Sequence, residues 1–274
     1  MSVSDFGLVF SIILCICIFF HCIHYNDFQT VQFLQVQYNL AVDQAVEAAL
    51  YDAVESDTQS TLYMNEGEVI ENFFQALFVN LGIEEEPMKK ELCKFYVPYI
   101  LFVEKDGIIP FIQTNSQTNE VVSFQDGKKV LYEWEGAYGD VLQVTLDDYV
   151  RYYDEAENER VEGYYKDVTE YLPEWFQWEL NEFRERKKTL IIELIEQCTN
   201  ECIQNQNQIA KRFGIRYQFT LPKIEYEEWY RTIQDVSMIV LFQGYPYGNG
   251  VTGRFNRVAI GAARIKKAEP ESSA

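Results

Sequence analysis

Histidine is the residue that most often supplies a general base or a metal ligand near neutral pH. This chain has two, His21 and His24. Both stand at the end of the apolar run Phe6–Ile23, so the chain beyond residue 24 has no histidine with which to build a Ser-His or Cys-His pair. Cysteine offers little more. Cys15, Cys17 and Cys22 lie in the apolar run, where the thiol acts as a small hydrophobe. Cys93, Cys198 and Cys202 remain, an odd number that does not resemble a disulfide framework. Cys198 and Cys202 share one face of a predicted helix, and a C-x3-C pair could bind metal, but no histidine lies outside residues 21–24, so no metal site is expected.

Carboxylates are abundant and therefore uninformative: Asp147-Asp148 and Glu227-Glu228 are neighbours in a chain rich in acids. Asp147, Asp148, Asp154, Glu155, Glu157 and Glu159 lack the D-x-D-x-D-G loop and closing glutamate of an EF-hand, so calcium is not expected. Gly248, Gly250 and Gly253 spell G-x-G-x-x-G after an apolar strand. A dinucleotide site needs a helix next and then a second strand with a ribose-binding acid. Here Tyr245-Pro246-Tyr247 intervenes and RFNRVAIGAARI reads as a strand, so the glycines predict a hairpin loop with positive φ. There is no G-x-S-x-G or Walker A pattern. The expectation is no catalytic residue, no cofactor and no enzyme.

Net charge narrows the partners. The chain carries −20, and Asp5 is the only charge in its first 23 residues, so the rest carries −19. Nucleic acid is not expected as a partner, because binding it needs basic patches.

The elements behind these residues predict an α+β chain. Phe6–Ile23 reads FGLVFSIILCICIFFHCI, uncharged and about 27 Å long as a helix, which predicts a transmembrane segment. Thr30–Val54 continues without a helix breaker. Leu34, Tyr38, Ala41, Ala45, Ala48 and Ala49 recur at spacings of three to four and predict an apolar stripe. Small residues let another helix approach closely, so these six are the candidate assembly interface, facing either the chain's own head or neighbouring subunits. The organisation expected is a short N-terminus (1–5), a transmembrane helix (6–23), an amphipathic helical extension (24–56), an α+β head (57–267) and a disordered tail (268–274). The single-pass chain would hold its large C-terminal domain outside the cytoplasm.

Within the head, Val69–Leu81 predicts a helix that ends at Gly82, and Pro87 opens a short one. Residues 96–146 predict an antiparallel meander, with Asp126-Gly127 as a type I′ hairpin turn. The acidic, tyrosine-rich residues 147–172 read as one or two surface helices. Glu174–Phe213 predicts a second long helix. Ile215–Leu221 predicts a strand and Tyr226–Gln234 a helix, followed by paired strands at Val236–Gln243 and Arg254–Lys266.

The words YNLAVDQAVEAAL at Tyr38–Leu50, following an N-terminal apolar helix and preceding an α+β head, resemble the membrane-proximal helix of pilin and pseudopilin-like proteins of Tad-type pilus and type II secretion-like systems. The resemblance covers about the first 55 residues. It departs from the prepilin pattern, since no basic leader precedes Gly7 and Ile12 stands where that pattern has glutamate. It implies a structural or assembly component of a bacterial envelope, with the bilayer contacted through residues 6–23 and homotypic or pilus-subunit helix contacts. The competing expectation is a membrane-anchored module that binds a ligand or a protein.

Overall fold

The computed structural model describes residues 3–55, 65–115, 122–154, 159–211, 236–247 and 253–262. The chain is a mixture of helix and antiparallel sheet. Helix α1 runs Val3–Glu55, α2 Glu66–Asn80 and α3 Pro87–Phe95. Strands β1 (Tyr99–Val103), β2 (Gly107–Asn115), β3 (Val122–Asp126) and β4 (Val130–Leu131) follow. Next come β5 (Glu133–Glu135), β6 (Val141–Val144), β7 (Tyr149–Asp154) and β8 (Glu159–Tyr164). The short α4 (Tyr165–Val168) and two 3-10 turns lead to α5 (Leu180–Lys211), then β9 (Ser237–Tyr247) and β10 (Gly253–Ala262).

The strands form two antiparallel sheets. The larger has the order β10-β9-β1-β2-β3, with β4 also on β2; the smaller is β5-β6-β7-β8. Strand β1 is buried at every position, because its two faces serve two cores. Ile100 and Phe102 point with Met238, Val240 and Phe242 into a core closed by α1, α2 and α3. Tyr99, Leu101 and Val103 point with Ile239 and Leu241 into a second core, closed by α5 and the smaller sheet. The period-2 alternation of an apolar strand thus divides one run, YILFV, between two layers.

Helix α2 ends as its sequence predicts. Gly82 sits at φ +65°, its N–H donates to the Val79 carbonyl (3.0 Å) and the Ile83 N–H to the Phe78 carbonyl (2.9 Å), a Schellman cap. Asn65 caps the other end by accepting from the Glu68 N–H.

Three expectations are corrected. First, among the described residues no helix is long and apolar enough to cross a membrane. The described apolar side chains run from Phe10 to Phe20, about 17 Å of helix, against the roughly 30 Å of a hydrocarbon core. The transmembrane helix at 6–23, the single-pass topology and the bilayer contact drawn from it are withdrawn. Second, Asp126-Gly127 does not join β3 to β4 as a hairpin. Both strands pair with β2, at Phe111↔Asp126 and at Ile108↔Val130. The Gly127 N–H donates to the Pro110 carbonyl at 2.7 Å, and a Cβ there would lie 2.9 Å from that oxygen. Glycine is needed for this close approach rather than for a two-residue turn. Third, the acidic residues 147–172 are mainly a β7–β8 hairpin, with Val150 and Tyr152 inward and Arg151 and Tyr153 outward.

Strands β9 and β10 pair antiparallel from Gly253↔Tyr247 to Ala262↔Ser237, so the chain after the glycines returns as a strand, not a helix. Gly248 and Gly250 lie outside the described residues. So do Glu155 and Glu157, the strand expected at 215–221, the helix expected at 226–234 and the tail.

Candidate functional site

The six stripe residues do not share one environment. Ala41, Ala45 and Ala49 are buried (3%, 0% and 0% exposed), together with Val42, Val46 and Leu50. Tyr38 is half-buried against the same core. Spacing of i, i+3, i+4, i+7 places these on one arc of α1. They meet Phe73, Phe74, Leu77 and Phe78 of α2 over the larger sheet, so the head itself covers this arc. Alanine at 41, 45 and 49 lets α2 and the sheet approach, and the Asn80 side-chain amide donates to the Ala41 carbonyl (3.0 Å), pinning the end of α2 to α1. Leu34 is half-buried, and Ala48 is exposed on the flank.

A second apolar arc lies opposite. Phe33, Val36, Leu40 and Tyr51 are 69%, 65%, 54% and 67% exposed. At about 100° per residue they fall within about 60° of one another, and the buried arc is centred on the far side of the helix. Gln44 and Glu47 interrupt this face between Leu40 and Tyr51. The large apolar side chains from Phe10 to Phe20 are also half to two-thirds exposed, on all sides of α1. The second arc was readable in the i, i+3, i+7 spacing of Phe33, Val36 and Leu40, but the alanine-rich stripe beside it is longer and masks it.

The rest of the head offers ties rather than reacting groups. Burial pushes the Cys93 thiol up to about 12, Cys198 to about 11 and Cys202 to about 12, so all three stay protonated at neutral pH and are poor nucleophiles. Among the described residues no three His, Cys, Asp or Glu side chains are grouped to hold a metal ion. Lys187, 6% exposed, donates to the carbonyls of Thr145 (3.0 Å) and Leu146 (2.8 Å) and to Asp148 (2.5 Å). Arg184 meets the other Asp148 oxygen at 2.8 Å. Burial lowers the Lys187 pKa against the pull of Asp148. Burial works to raise Asp148, but Lys187 and Arg184 outweigh it and hold that carboxyl below its ordinary value. Asp148 adopts φ +66°, a left-handed conformation that the two cations hold in place. The cluster fastens α5 to the β6–β7 turn.

Asp140, 1% exposed, accepts from the Trp175 indole N–H at 2.9 Å, and a Cβ on Gly136 would collide with its carboxylate. An open groove of about 420 Å³ lies along α5, lined by Trp134, Leu190, Arg186 and three glutamates, Glu182, Glu185 and Glu193. No family model, curated protein or solved structure matches the chain.

Proposed function

We propose that the chain is a non-catalytic structural subunit that joins a larger assembly through α1, as the pilin-like resemblance implies. One observation carries this reading: α1 has apolar surface on two opposite arcs, and the described residues of the head cover only one. A helix whose role was to complete its own head would be polar on the side away from it. Phe33, Val36, Leu40 and Tyr51 present instead a narrow apolar face of the kind that receives another helix. The test is size-exclusion chromatography with light scattering of the full chain beside a Val36→Asp/Leu40→Asp variant. The expected outcome is a self-associated or partner-bound species that the variant loses while keeping its thermal stability. A wild-type chain that is monomeric, and that retains no helical partner when purified from its source, would sink the proposal.

A second reading, a binding module, is favoured by the groove beside Trp134. Glu182 is paired with Arg186 and Glu185 with Lys188, so Glu193 is the groove carboxylate that would meet a cationic ligand. Alanine substitution at Glu193 would test it through loss of binding to a lysine-rich peptide, and unchanged binding would remove it.

A further inference from the structure

The uncovered surface of α1 is larger than one helix–helix contact inside a domain. Eight large apolar side chains between Phe10 and Phe20 are at least half exposed, and Phe33, Val36, Leu40 and Tyr51 are more than half exposed. Five of the twelve are aromatic, with roughly 150–250 Å² each to bury, and the seven aliphatic ones have on the order of 100 Å² each, so at half to two-thirds exposure the twelve together leave on the order of 1,000 Å² uncovered. Monomers rarely keep an apolar patch beyond about 300–600 Å², and a stable interface needs about 800 Å² per partner.

Among the described side chains, the uncovered residues of α1 fall into two stretches, centred near residues 15 and 42. An antiparallel second copy brings the first stretch of each chain beside the second stretch of the other, and the two-fold axis repeats the contact. The side of Phe10–Phe20 that faces the second copy and the Phe33–Tyr51 face then lie in the same interface. A parallel copy also aligns apolar residues, but it places two acidic heads side by side, and each chain carries −19 beyond residue 23. In the antiparallel pair the two head seats stand about 40 Å apart along the rod, several Debye lengths at physiological salt, so the repulsion is screened.

Resting on the assembly reading above, we propose that the occupant of this surface is a second copy of this chain, packed antiparallel along α1, with Phe10–Phe20 of one copy against the Phe33–Tyr51 face of the other. The pair is isologous and closed, so the unit that enters any larger assembly is a dimer with a head towards each end.

Cys15 is an exposed thiol on α1, and the cysteines of the two cores are buried. In the full chain with Cys17→Ser and Cys22→Ser, adding Gln44→Cys places a second exposed thiol on the other stretch. Along one helix, residues 15 and 44 are about 43 Å apart, beyond the reach of a short bismaleimide. A crosslink between them therefore joins two copies. The expected result is a dominant adduct between Cys15 of one copy and residue 44 of the other, found by mass spectrometry of the covalent dimer and lost on Leu40→Asp. Adducts only of 15 with 15 and 44 with 44 would overturn the antiparallel arrangement and leave the assembly reading standing. A monomer without intermolecular adducts overturns the second copy as occupant. If that monomer is recovered on phosphatidylcholine vesicles, the occupant is lipid; if it co-purifies with a different helical protein, the assembly reading survives with another partner.

Discussion

Leu40 and Val42 stand two residues apart on α1. Val42 is fully buried, and Leu40 is 54% exposed. The difference is one of direction, because at about 100° per residue the two side chains point to opposite sides of the helix. On the Val42 side, alanines at 41, 45 and 49 bring α2 and the sheet close, and the large residues that fill the space come from the head: Phe73, Phe74, Leu77 and Phe78. On the Leu40 side the helix itself presents the large residues, Phe33, Leu40 and Tyr51, with none of the described residues over them. Small residues mark where α1 receives a neighbour's bulk, and large exposed ones mark where it would supply bulk to another chain.

That contrast breaks most sharply at Ala45. An Ala45→Asp substitution buries a carboxylate with no partner, and a loss on the order of 4 kcal/mol is expected, read as a collapse of the urea midpoint. If the midpoint stays put, the head does not cover this arc in solution. Next in size is Lys187→Met, which leaves Asp148 with Arg184 alone and costs roughly 3 kcal/mol. The pH dependence has a definite sign. The folded pKa of Asp148 is lowered, so its contribution is present above its ordinary value near 3.8 and is lost as pH falls through the lowered one. Melting curves of the wild type and Asp148→Asn should therefore converge at low pH, and a gap that widens on acidification would refute the assignment. Gly82→Ala should cost about 1 kcal/mol at φ +65°, measured by thermal melting. The smallest effect on stability, within about 0.5 kcal/mol, is expected at Val36→Asp and Leu40→Asp. These two should instead remove assembly. A large loss of stability there would mean that the second arc is covered by the chain itself.

Much of this contrast was legible in the sequence, though unevenly. The alanine stripe was visible from its spacing, but periodicity cannot say whether a stripe meets its own head or another chain. Tertiary packing decided it for Ala41, Ala45 and Ala49. Helix α2 was legible because Gly82 and the i, i+4 apolar positions agree. Helix α5 begins at Leu180 rather than Glu174, since Pro173 and a 3-10 turn at Glu174–Phe176 precede it. The β7–β8 hairpin was hidden by composition: the density of acids and tyrosines suggested a solvated helix, although Tyr149, Arg151 and Tyr153 alternate with Val150 and Tyr152 in plain view. The pairing of both β3 and β4 with β2 was not legible, because it depends on the Gly127–Pro110 approach, which no local pattern reports.

Hydroxyl-radical footprinting of the full chain over a dilution series compares the two arcs of α1 in one experiment. Phe33, Val36 and Leu40 should be protected at high concentration and become labelled on dilution, while Val42 and Val46 stay protected throughout. If Phe33, Val36 and Leu40 are labelled equally at every concentration, with no partner able to protect them, α1 has no assembly face and the account is wrong.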